Sequence, residues 1–146
     1  MSVIREFHAI INAGASLAPD QPPLRPDAKL IRSRMRLIRE EFNEVFAEME
    51  WLAKNADTAS VDAIFARYRL LLKELADLRY VSDGTAVSLG LPIDAAFDAV
   101  HESNMSKLSG DTLPPIDKHG KFPKGPYYQP PDMTALVPDI ITIQEV

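Results

Sequence analysis

Glu40-Glu41-Phe42-Asn43-Glu44 is followed, about thirty residues on, by Glu74-Leu75-Ala76-Asp77. Residues three and four apart share a helix face. Glu41 and Glu44 therefore project together, with Glu40 beside them, and Glu74 and Asp77 form a second pair. The row through the first pair reads Leu37, Glu41, Glu44, Glu48, and the row through the second reads Leu70, Glu74, Asp77, Val81. Acids set in a partly apolar row are expected to be half-buried, where like charges repel strongly and are poorly solvated. They then need protons or cations. Magnesium and manganese prefer oxygen donors, and four or five converging carboxylates supply them. Either cluster alone reads more simply as a solvated face, because Glu is a strong helix former. Two clusters on consecutive helices packed antiparallel bring the solvated and metal-holding readings level. A di-iron bundle would want a Glu-x-x-His pair, and neither cluster supplies the histidine.

Outward from the clusters, the apolar spacing predicts four helices. Asp27 is a good N-cap for a long helix with the stripe Ile31, Met35, Ile38, Phe42, Val45, Met49 and Leu52, whose steps of four and three mark a packed face. After a break at Asn55 to Ser60, a second long helix runs from about Val61 to near Leu89, with Ile64, Tyr68, Leu71, Leu75, Leu78 and Ser82 in its stripe. Gly84 inside it costs roughly 1 kcal/mol against Ala and marks a close helix contact; Gly90 ends the helix. A shorter helix over about Ser2 to Asn12 precedes the long pair, with Val3, Phe7, Ile10 and Ile11 at helical spacing. The proline-rich stretch Pro19 to Pro26 separates them. Pro92 opens the fourth helix, with Ile93, Phe97 and Val100 as its apolar face. From Gly110 the character changes, and seven of the twelve prolines fall between Pro114 and Pro138. The expected organisation is a helical domain over 1–109 and an extended proline- and glycine-rich tail over 110–146, docked on the same domain or a partner subunit through Phe122, Tyr127 and Tyr128. Ile140 to Ile143 is a candidate short strand.

The chain has 146 residues, 46% hydrophobic and 25% charged, with a formal net charge of −5. That is one domain's worth of core, and a protomer of this size often gains burial by oligomerising. No basic run of the kind that grips nucleic acid is present. No apolar run approaches the roughly 20 residues needed to span a bilayer, and Met1 to Glu6 does not read as a signal peptide. There is no cysteine, which excludes disulfides and thiolate chemistry and suits the cytoplasm.

Other side chains are weaker candidates. Asn104 and Lys107 face the same way at the end of the fourth helix, where a lysine also suits the helix dipole. Lys118, Lys121 and Lys124 lie beside Gly120 and Gly125 in the tail, where solvated lysines are common. His8 reads as a packing residue, and Trp51 as core or dimer interface before base stacking. Arg79 reads as a partner for an acid or a phosphate. No G-x-x-x-x-G-K-[ST] phosphate loop occurs.

The Glu-Glu-x-x-Glu cluster with a distant Glu-x-x-Asp resembles the all-α NTP pyrophosphatases, which include MazG-like proteins, dimeric dUTPases and phosphoribosyl-ATP pyrophosphohydrolases. The likeness extends to Phe7-His8, to Leu75-Ala76-Asp77-Leu78-x-Tyr80-Val81 with Gly84, to Leu89-Gly90-Leu91-Pro92, and to Val100-His101-x-Ser103-Asn104-Met105-Ser106-Lys107. The stretch Gly120-Lys121-x-x-Lys124-Gly125-Pro126-x-Tyr128-x-x-Pro131-Asp132 is similar to the end of phosphoribosyl-ATP pyrophosphohydrolase-like bacterial and phage proteins. The resemblance implies an all-α, four-helix-bundle-type fold, a homodimer or dimer of dimers, and hydrolysis of an NTP or dNTP to the monophosphate and pyrophosphate. It implies Glu41, Glu44, Glu74 and Asp77 as ligands for magnesium, with manganese as a substitute. Glu40 and Glu41 would be catalytic, Glu40 by binding a further metal or orienting the attacking water. Asn104 and Lys107 would contact the nucleotide, and Lys121 and Lys124 its phosphates. Alternatives are hydrolysis of phosphoribosyl-ATP itself, against which the long tail argues, and a non-catalytic metal-binding interaction module.

Overall fold

Asp27 and Ser60 each start a long helix by the same device. The Asp27 carboxylate accepts from Lys29 N at 2.9 Å, and the Ser60 hydroxyl accepts from Ala63 N at 3.3 Å. Each satisfies a backbone donor that the first helical turn leaves unpaired. A computed structural model of the chain describes residues 3–11, 25–108 and 115–137. Its helices are α1 (Val3–Ile11), α2 (Ala28–Asn55), α3 (Val61–Ser88) and α4 (Ile93–Ser106), and no strand occurs among the described residues. The all-α class is borne out. The candidate strand at Ile140 to Ile143 and most of the Pro19 to Pro26 stretch lie outside the described residues. The chain divides into two units, Met1–Gly90 and Leu91–Val146.

In the first unit α2 and α3 form a hairpin and α1 packs on α3. The long apolar stripes split lengthwise. On α2, Ile31, Ile38, Val45 and Leu52 are withdrawn from solvent, whereas Met35, Phe42 and Met49 are exposed. On α3, Ile64, Leu71 and Leu78 are half-buried, whereas Tyr68 and Leu75 are exposed. Both divisions follow a step of seven, which keeps each row on one line of the helix. Two helices share a single narrow seam, so one row of each fills it and the row beside it is left over. The expectation of one wholly packed face is corrected to that extent. Arg67 ties the hairpin across its length, donating to both oxygens of Glu48 at 2.9 and 2.8 Å while its guanidinium lies 4.7 Å from the Trp51 ring centre.

The helical glycine finds its reason in α1. A Cβ at Gly84 would stand 2.8 Å from Nε2 of His8, so only glycine admits the ring. His8 is buried at 2% exposure. Ser88 Oγ lies 3.4 Å from its Nδ1 and donates to Gly84 O at 2.7 Å. Beside it Phe7 meets Tyr80 edge-on at 5.7 Å, and Ile4 is buried. Burial and, second, the charge of Arg34 hold the His8 imidazole below its ordinary pKa. The reading of His8 as a packing residue is borne out. Gly90 then ends the helical run with φ +65°, a left-handed conformation that favours glycine.

In the second unit α4 and the tail are joined at Ser106. Its hydroxyl donates to Ser103 O at 2.7 Å and accepts from Gln129 N at 2.9 Å. No described helix is long and apolar enough to cross a membrane.

Candidate functional site

The carboxylates of Glu41 and Glu44 on α2 and Glu74 on α3 each bring an oxygen within 4.8 Å of the others. Glu74 is buried, Glu41 half-buried and Glu44 exposed. The helical step places the first two on one face, and the hairpin brings the third across. A hydrogen bond to Glu74 raises the Glu44 pKa, followed by desolvation and by the negative charges of Glu74 and Glu41, with Lys73 opposing. Neighbouring carboxylates and partial desolvation disfavour a further negative charge at Glu44, which is why its pKa rises.

Asp77 lies outside that group of three and is joined to it by a lysine. Lys73 Nζ sits 2.8 Å from Asp77 Oδ2 and 2.9 Å from Glu74 Oε2. Its pKa is raised by these bonds, that to Asp77 first. Lys73 went unnoticed in the sequence, although its place one residue before Glu74 and four before Asp77 is the signal for such a pair. Glu40 is exposed and stands apart from the three. Glu48, on the same row, is taken by Arg67. Arg79 points to solvent and pairs with Asp83 at 3.6 Å.

The donor set fits a hard divalent cation. Oxygens on one magnesium lie at most about 4.2 Å apart, twice the metal–oxygen distance. A spread within 4.8 Å closes by small side-chain rotations. The raised pKa of Glu44 and an ammonium lodged against Glu74 and Asp77 both mark a demand for positive charge.

The second unit gathers the opposite charge. A cleft of about 560 Å³ is lined by Asn104, Met105, Lys107, Leu108, Lys121, Phe122 and Lys124. All four side chains expected to contact the nucleotide therefore share one cleft. Lys107 Nζ donates to Asn104 Oδ1 at 2.7 Å. Lys121 is set by a tight loop. Its N–H donates to Asp117 Oδ1 at 2.9 Å, its carbonyl accepts from Asp117 N at 2.9 Å, and Gly120 turns the chain at φ +76°. Tyr128, read in the sequence only as a docking aromatic, holds two of the lysines. Lys124 Nζ lies 4.7 Å and Lys107 Nζ 5.8 Å from its ring centre.

Compared with protein families, residues 4–104 match the profile described as phosphoribosyl-ATP pyrophosphohydrolase. The match takes in α1, α2, α3 and α4 as far as Asn104, and so all the carboxylates above. No curated protein matches the chain.

Proposed function

This chain belongs to the phosphoribosyl-ATP pyrophosphohydrolase family, and from that premise we propose that it hydrolyses a nucleoside triphosphate, ribo or deoxy, to the monophosphate and pyrophosphate. The family is one of all-α pyrophosphohydrolases of the MazG-like kind, hydrolases of phosphoric anhydrides. Phosphoribosyl-ATP is the alternative substrate, and the reaction at the anhydride would be the same. The observation that carries the reading is the convergence of Glu41, Glu44 and Glu74 on one spot.

Glu41, Glu44 and Glu74 would hold magnesium, or manganese in its place, with Asp77 as a further ligand. When bound, such a cation offsets the charge of the polyphosphate and lowers the pKa of a water. Glu40, exposed on α2 next to Glu41 in the chain, would orient the attacking water and accept its proton. Glu44, whose pKa its neighbours raise, would hold the cation as the carboxylate, so binding should tighten as pH rises. Asn104 and Lys107 contact the nucleotide, and Lys121 and Lys124 its phosphates, the lysines supplying charge for the leaving pyrophosphate.

Exposed apolar side chains on the two long helices belong to the same reading. Phe42, Phe46 and Met49 on α2 are 47%, 49% and 52% exposed, and Phe65 and Leu72 on α3 are 56% and 70% exposed. Exposed large apolar side chains of this kind suit an interface, and a second copy of the chain is the occupant we assign. The cytoplasm is the expected compartment.

The test is a panel of nucleoside triphosphates and phosphoribosyl-ATP, incubated with magnesium and with manganese, with pyrophosphate release as the readout. Release from a triphosphate supports the assignment, release from phosphoribosyl-ATP alone selects the alternative, and silence throughout sinks both.

A further inference from the structure

Two ammonium groups on one aromatic ring call for a physical reason. Lys107 and Lys124 come from different elements, the end of α4 and the tail, yet both lie within cation–π range of Tyr128, at 5.8 and 4.7 Å. Like charges so gathered repel. No acidic side chain lines the cleft they share among the described residues. The backbone that carries the ring is fixed from two sides. Tyr128 N donates to Gly125 O at 3.1 Å, and the next residue, Gln129, is pinned by its N–H to Ser106 of α4. Tyr128 is half-buried, while Lys124 and Lys121 are exposed. Met105, Leu108 and Phe122 form the apolar part of the cleft lining, with Asn104 and the lysines completing it.

A lysine carries three N–H donors on a flexible four-carbon stem, and most of its cost in binding an anion is the loss of that freedom. A ring face takes up one side of an ammonium and leaves its other donors open. We propose that Tyr128 is a positioning residue whose ring collects Lys107 and Lys124 into a clamp for a pyrophosphate-type polyanion, with Lys121 completing it. The inference rests on the reading of the chain as a pyrophosphohydrolase, and it adds a residue that acts through the lysines without touching the reacting atoms. The ring preorders the two stems, so the polyphosphate meets them already assembled. The clamp requires no metal, because its charge comes from the chain.

The full chain is titrated calorimetrically with inorganic pyrophosphate in the presence of EDTA, as wild type, Tyr128→Phe and Tyr128→Leu. The leucine keeps apolar volume without the ring, and the phenylalanine keeps the ring without the hydroxyl. Expected is a rise in Kd of roughly five- to thirtyfold for Y128L, with affinity restored in Y128F. NMR gives a second readout. The ε-methylene protons of two lysines are shifted upfield by the ring current in wild type and Y128F, and return to ordinary positions in Y128L. In steady state Y128L raises KM several-fold with little change in kcat. Wild-type protein that does not bind pyrophosphate, a Y128L that binds as tightly as wild type, or wild-type lysine protons at ordinary shifts would each overturn the clamp. Pyrophosphate binding as expected, with no nucleotide hydrolysed, retains the clamp and removes the hydrolase reading instead.

Discussion

On α2 and α3 the charged atoms that gather are carboxylate oxygens; on α4 and the tail they are ammonium nitrogens. Glu41, Glu44 and Glu74 come together because helix periodicity aligns two of them and a hairpin delivers the third. Their separation is set by stiff backbone. Lys107, Lys121 and Lys124 come together by smaller means: a helix end, an Asp117 turn, a left-handed glycine and one aromatic ring. The difference teaches how each region tolerates its own repulsion. The acids raise the pKa of Glu44 and borrow Lys73. The lysines rest on Tyr128 and on the Asn104 amide. A cation for the first region and a polyanion for the second would replace those internal stand-ins.

The comparison breaks most completely at the acids. Glu44→Gln and Asp77→Asn, assayed on the substrate found by the nucleotide panel, should each lose about a hundredfold or more in turnover. Their far-UV circular dichroism should stay that of the parent. Unchanged activity in both would dismiss the metal-holding reading, while the helices remain. Next in size is the apolar face. A double Phe42→Glu, Phe46→Glu variant should sediment as a monomer where the parent sediments as a dimer; a monomeric parent would refute the assigned partner.

Within the first unit, Gly84→Ala sharpens the contrast between a packed contact and a charged one. The new methyl meets the His8 ring, and overpacking of this kind costs about 1–3 kcal/mol, against about 1 kcal/mol gained in helix propensity. The net loss should show as faster amide hydrogen exchange across α1, with the α2–α3 hairpin unaffected. Protection unchanged across α1 would contradict that contact. Acid tests the same place. The folded pKa of His8 lies below its unfolded value, so the unfolded chain binds the extra proton. The His8 contribution is complete above the unfolded value near 6.5 and declines as pH falls through that value toward the folded one. Thermal melts from pH 7.5 to 5 should show a slope that His8→Gln reduces. The smallest effect is expected at Arg67→Met, about 0.5–1 kcal/mol in denaturant unfolding, because the Glu48 pair is partly solvated.

Much of this was legible along the chain. Asp27, Gly90 and Pro92 punctuate the helices where they stand, and Gly84 announced a close approach without saying to what. The pairing of Glu41 with Glu44, and of Glu74 with Asp77, followed from spacing alone. The split of the apolar stripes was not readable, because a row of Met35, Phe42 and Met49 looks the same whether a neighbour covers it or not. Nor was Tyr128 as a seat for two lysines, since those lysines are seventeen positions apart in sequence.

Local periodicity, caps and breakers act over a few residues, so the sequence by itself determined four helices and which acids share a face. Which carboxylate crosses to meet the others, that His8 fills the space over Gly84, and that Lys107 meets Lys124 on one ring were decided only by tertiary structure. Those contacts depend on the distance between elements far apart in the chain, and no short-range preference encodes that distance.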